Sequence, residues 1–156
     1  MSESIQKRDI FGKMTAALDE MGWKHDKDEA HGVVRSGVNI GDYYVNLVMV
    51  VKERNDVIQL LAKLPFSAGE DYQVDTVMAL AVANYGLIDG SFDFDFNGRN
   101  IFFRLSACVK DCEMGGGLIK YMITTAASTV EHYVSRFADI ACGKLALETF
   151  MDEEKN

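Results

Sequence analysis

The stretch Phe92 to Leu105, FDFDFNGRNIFFRL, constrains the fold more than any other part of the chain. Phe92, Phe94 and Phe96 alternate with Asp93 and Asp95, the period of two that marks a half-buried antiparallel strand. Asn97-Gly98 follows, a dipeptide suited to a two-residue type I′ turn because both central residues of that turn need φ > 0. With that turn Phe96 faces Arg99, Phe94 faces Ile101 and Phe92 faces Phe103. A four-residue turn over 97–100 would instead pair Phe96 with Ile101 and Phe94 with Phe103. Either register puts Phe92, Phe94, Phe96, Ile101, Phe103 and Leu105 on one face, the predicted core face. Asp93, Asp95, Phe102 and Arg104 take the other, with Arg104 beside Asp93.

The elements around this hairpin follow from spacing. Ile10, Met14, Ala17, Leu18 and Met21 recur at the helical period, so a first helix is predicted from a Ser2 or Ser4 cap to about Met21, closed by Gly22 with Trp23 folding back. KHDKDEAH reads as a loop or a frayed strand start. Strands are predicted at about Val33 to Ile40, Tyr43 to Lys52 and Val57 to Leu64, with turns at Gly41-Asp42 and Asn55-Asp56 and with Pro65 ending the last of them. That register pairs Val51 with Leu60, Met49 with Ala62 and Leu47 with Leu64 on the core face. It pairs Val50 with Leu61 and Val48 with Lys63 on the other.

A second helix is predicted over Glu70 to Tyr85, burying Val74, Val77, Met78, Ala81, Val82 and Tyr85 and stopped by Gly86. A glycine-rich loop ends at Gly117. A third helix runs from Leu118 to about Ala141, and Leu145 to Met151 could add a further turn or two. Residues 152–156 read as a charged tail. The order α-β-β-β-α-β-β-α makes an α+β domain, an antiparallel sheet covered by helices, formed by residues 1–156 as one unit.

A helix ending in Asn84-Tyr85, then Gly90-Ser91-Phe92-Asp93-Phe94, a turn, and Ile101-Phe102-Phe103-Arg104, resembles the bacterial YbjN-domain family. The similarity extends at the level of element order over residues 5–142, and its specific part is Asn84, Gly90, Phe92 and Arg104. It implies the type III secretion chaperone fold. It also implies association as a two-fold dimer and a protein or peptide client, while naming no reaction.

Charge narrows the classes. The chain has 16 basic and 24 acidic residues, a net charge of −8. Such a balance disfavours nucleic acid and anionic membranes as partners and suits solubility and basic partners. No apolar run approaches a membrane span, so the cytoplasm is the expected compartment. Three cysteines at irregular positions make no disulfide framework.

The constellations that could carry chemistry are incomplete. Asp93-x-Asp95-x-Asn97-Gly98 copies the start of a calcium loop, but the twelfth position, which needs a bidentate glutamate, is Arg104. His25 and His31 flank three acidic residues at a spacing that fits neither a helix face nor a zinc finger. Cys108 and Cys112 are not a C-x-x-C pair, and Gly115 to Gly117 lacks the Lys-Ser or Lys-Thr of a phosphate loop. His132 has no acid or nucleophile beside it in the sequence. The expectation is a non-enzymatic, chaperone-like or regulatory interaction module without cofactor or metal. The competing reading is a small-molecule or metal-responsive domain using space between sheet and helices. Val48, Val50 and Leu61 on one mixed sheet face, with Phe102, Arg104 and Asp93 beyond it, are the predicted interaction residues and the predicted seat of a homodimer.

Overall fold

The computed structural model describes residues 2–52 and 56–155, with side chains from residue 9 onward. Helix α1 (Ser2–Glu20) buries Ile10, Phe11, Met14, Ala17 and Leu18. Its predicted serine caps lie outside the described side chains. It ends as its sequence demands: Gly22 sits at φ +69°, its N–H donates to the Asp19 carbonyl at 3.0 Å, and that of Trp23 donates to Leu18 at 3.0 Å. This pair of bonds is the Schellman stop, and it turns Trp23 back onto the core.

The chain then builds β1 (His25–Asp28), β2 (Val33–Ile40), β3 (Tyr43–Lys52) and β4 (Val57–Ser67). A 3₁₀ turn (Glu70–Tyr72) leads into α2 (Gln73–Gly86), followed by β5 (Ser91–Asp95), β6 (Asn100–Cys108), α3 (Gly116–Ala141) and α4 (Leu147–Glu154). The sheet has six antiparallel strands in the order β1-β2-β3-β4-β6-β5. Helices α1 and α3 pack on one face of it and on each other, while α2 lies against β5, α3 and α4. Residues alternating along each strand decide the layering. Val34, Val45, Leu47, Met49, Val51, Ile58, Leu60, Ala62, Ile101, Phe103 and Leu105 are buried under the helices, and the intervening residues point the other way.

The observed order adds two elements to the predicted one. KHDKDEAH holds β1, a short charged edge strand whose composition discourages further pairing. The predicted charged tail is largely helix: α4 inserts Phe150, fully buried, among Tyr133 and Phe137, and Arg136 of α3 binds the Glu154 carboxylate while lying over the Tyr133 and Phe150 rings.

Registers differ in informative ways. Between β3 and β4, Val51 faces Ile58, Met49 faces Leu60 and Leu47 faces Ala62, a slip of two residues from the prediction. Because the slip is even, every core residue keeps its face. On the other side Val48 now meets Leu61, and Val50 meets Gln59. Asn55 of the predicted turn lies outside the described residues. Strand β4 does not stop at Pro65. A bulge between Lys63 and Ser67 takes up the missing donor, and pairing with β6 resumes at Ser67 with Asn100.

The central hairpin keeps the register of Phe92 with Phe103 and Phe94 with Ile101, but its turn is not type I′. Phe96 to Arg99 form a four-residue loop closed by Asp95 and Asn100, and Arg99, rather than Asn97 or Gly98, takes positive φ at +54°. The Asp95 carboxylate accepts the N–H groups of Asn97 and Gly98, each at 3.0 Å, which folds the loop over. Phe96 therefore leaves the core face and stands 69% exposed. In α3 Ile119, Met122, Ile123, Ala126, Val130, Tyr133, Val134 and Phe137 form a buried apolar stripe, and the helix begins inside the glycine run, at Gly116.

Candidate interaction surface

The open face of the sheet gathers all six residues singled out from the sequence. Leu61 of β4 sits between Val48 of β3 and Arg104 of β6, and Val50 is one pleat further along β3. Phe102 lies between Asp93 of β5 and Lys63 of β4. Arg104 grips Asp93 with two bonds, Nε at 2.8 Å and Nη2 at 3.3 Å, as the sequence suggested. Both partners are partly exposed, so this pair contributes at most about 1 kcal/mol. Val48, Val50, Leu61 and Phe102 are only half-buried, because among the described residues no helix covers this face and neighbouring side chains shield their flanks. At its lower end Tyr44 lies over Gly37, so closely that a Cβ there would sit 2.2 Å from the Tyr44 hydroxyl. Beside Lys63 the β4 bulge opens a hollow of about 360 Å³ lined by Asn46, Pro65, Phe66, Ser67 and Asn100.

A second apolar surface escaped the sequence reading. Helix α2 buries Thr76, Ala79, Leu80 and Ala83. Most of the predicted face points outward: Val74 is 67% exposed, Met78 47% and Tyr85 96%, Ala81 is exposed too, and Ile88 just beyond the helix is 99% exposed, whereas Val77 and Val82 are half-buried, Val82 against the core. The helix is apolar almost all round, so periodicity alone offers two faces. The small residues won because they let α2 approach α3 and α4 closely, with the Thr76 hydroxyl satisfied by the Tyr72 carbonyl at 2.7 Å.

The other constellations do not converge. The His25 ring lies beside α1, with Nδ1 2.7 Å from the Trp23 carbonyl and Nε2 3.6 Å from Asp19. His31 bonds Asp28 at 2.9 Å, and this bond holds the Asp28 carboxyl below the usual range. Among the described residues no group of three or more His, Cys, Asp or Glu could hold a metal ion. Cys108, Cys112 and Cys142 are exposed free thiols. Between the sheet and the helices, Leu18, Trp23, Leu47, Leu60 and Ile123 enclose a cavity of about 10 Å³, room for one water at most. A metabolite does not fit there.

Three of the four residues that carried the family resemblance, Asn84, Gly90 and Phe92, are architectural. The Asn84 side chain accepts the Phe92 N–H at 2.7 Å and donates to the Phe92 carbonyl at 2.9 Å, acting as one residue of an extra strand on the free edge of β5. Gly90, at φ +76°, lies against the Phe103 ring. Phe92 meets Phe103, Tyr133 and Phe137 edge-on.

The fold as a whole is similar to that of solved structures. YbjN from E. coli, a candidate transcription regulator, superimposes with a TM-score of 0.59 at 10% identity, over 77% of this chain and 84% of that one. The fold is that of YbjN. The HopA1-SchA chaperone-effector complex contains a chain with a TM-score of 0.58 at 9% identity, over 80% of this chain and 91% of its own. The YbjN-like, type III chaperone-like fold expected from the hairpin is thus the one adopted, with α1, the sheet and the helices in place. No family model and no curated protein matches the sequence.

Proposed function

We propose that the protein is a non-enzymatic interaction module of the cytoplasm, chaperone-like or regulatory, which works as a two-fold dimer and holds a polypeptide client. The carrying observation is the open face of the six-stranded sheet, where Val48, Val50, Leu61 and Phe102 stay half-exposed beside Arg104 and Asp93 with no helix over them among the described residues. Its relation to a chain from a chaperone-effector complex supports the reading. The alternative of a metabolite held between the sheet and the helices is disfavoured by the 10 Å³ cavity there.

The dimer belongs on α2 rather than on the sheet. Its outward stripe, Val74, Met78, Ala81 and Tyr85, is spaced four, three and four residues apart, so it reads the same in both directions. Crossing an identical helix about a two-fold axis between Met78 and Ala81 would set each Met78 against the small Ala81 of the partner and each Val74 against the partner's Tyr85. A monomer rarely leaves so contiguous an apolar patch in water. The test is capture of a polypeptide from the source cell, followed by hydrogen exchange on the complex. Slowed exchange in β3, β4 and β6, abolished by Leu61→Glu, supports the reading; protection confined elsewhere rejects it.

A further inference from the structure

Charge on the open sheet face is distributed against the composition of the chain. The protein carries an excess of eight acidic residues. Yet the outward positions of the four central strands hold Arg35, Lys52, Lys63 and Arg104 and no carboxylate. The acids of this face sit at its two edges, Asp26 and Asp28 on β1, and Asp93 and Asp95 on β5. Arg104 is matched by Asp93; Arg35 faces Asp26 across the β1–β2 pair and lies in the field of Asp28, and Lys63 lies in that of Asp95, yet both cations are exposed and neither forms a close ion pair among the described residues. Between Arg35 and Arg104, in one row across the sheet, lie Val48 and Leu61. The hollow of about 360 Å³ beside Lys63 adds the Asn46 amide and the Ser67 hydroxyl.

We propose that this face docks an acidic-apolar segment of another polypeptide, whose aliphatic side chains rest on Val48, Leu61 and Phe102 and whose carboxylates meet Arg35 and Lys63. The inference rests on the interaction reading above and gives the client its chemistry. An apolar row bordered by cations selects carboxylate-bearing partners and rejects basic ones, because a like charge opposite Arg35 or Lys63 is repelled as the interface closes. The partner is therefore not the basic one that net charge alone suggests. Nucleic acid fits less well. A duplex presents no aliphatic side chains and would gain nothing from the apolar row.

The test uses the full chain and labelled peptides in which leucine alternates with glutamate or, as the counterpart, with lysine. Fluorescence anisotropy should show the glutamate peptide binding and the lysine peptide failing. Amide shifts should fall on β3, β4 and β6. The double reversal Arg35→Glu/Lys63→Glu, both at exposed positions, should weaken the glutamate peptide by about tenfold or more and favour the lysine peptide. Retention of the wild-type melting temperature shows that the variant is folded, and the milder Arg35→Gln/Lys63→Gln serves if it is not. Preference for the lysine peptide on the same strands overturns the charge assignment and leaves the interaction reading standing. Shifts on those strands from neither peptide overturn both. Tighter binding of a DNA duplex at this face, or loss of self-association in the double variant, overturns the proposal in favour of nucleic acid or a second copy.

Discussion

An added Cβ at Gly90 would stand 2.4 Å from the Phe103 ring and 2.9 Å from the Arg104 carbonyl, with φ at +76° already unfavourable for any L side chain. Backbone and a packed ring cannot both yield, so Gly90→Ala should lose more than about 2 kcal/mol in urea unfolding. Gly117→Ala is the control: nothing lies within 4 Å of its Cβ, the site is helical, and the change should be neutral or stabilising by up to about 1 kcal/mol. Asp95 offers a pH test. The Asn100 amide, then the Asn97 N–H, hold its carboxyl below the usual range, with Gly98 adding to them. A carboxyl lowered on folding stabilises the native state above its unfolded value, near pH 4, and that contribution fades as the pH falls through the lowered value. The melting-temperature gap between wild type and Asp95→Asn should therefore be widest near neutrality and close in acid. A gap independent of pH would mean that the loop does not depend on the charge.

The hairpin is the element where spacing and structure can be weighed against each other. Alternation identifies its core face, and Phe92, Ile101, Phe103 and Leu105 are buried there. Alternation does not say where the strand stops. Asp95 binds the loop amides, so the ladder closes one residue earlier than the phenylalanine pattern implies and Phe96 is released to solvent. Phe92→Ala should then cost about 3–5 kcal/mol, since it empties a cluster of four rings. Phe94→Ala should cost less, the ring being half-buried, and Phe96→Ala should fall within about 0.5 kcal/mol. Equal costs for Phe92 and Phe96 in chemical denaturation would contradict this loop.

For the whole molecule the prediction concerns its mass in solution. With 17.4 kDa per chain, light scattering at micromolar concentration should give twice that value. Met78→Glu places a charge at the centre of the α2 stripe, twice per dimer, and should yield a folded monomer. Phe102→Glu, on the open sheet face, should leave the dimer intact and impair client binding. The reverse pattern would seat the dimer on the sheet, as the sequence first suggested, and a wild-type mass near one chain would remove the dimer altogether.

Local chemistry determined much of this protein without help from the rest of the chain. The Gly22 stop, the Val33–Ile40 and Tyr43–Lys52 strands, the core face of the hairpin and the buried stripe of α3 each follow from neighbours a few residues apart. Side chains alternate between the two faces along a strand, which is why the β3–β4 slip of two residues moved no side chain to the wrong face. Tertiary structure alone decided what local patterns leave degenerate. Which side of the apolar α2 faces inward depended on how closely α3 and α4 could approach Ala79 and Ala83. Whether 152–154 formed a tail or a helix depended on Arg136, distant in sequence, meeting Glu154 over the Phe150 ring. The cationic positions on the open sheet arose in the same way, since Arg35, Lys63 and Arg104 come to surround Val48 and Leu61 on one face only when strands far apart in sequence pair side by side.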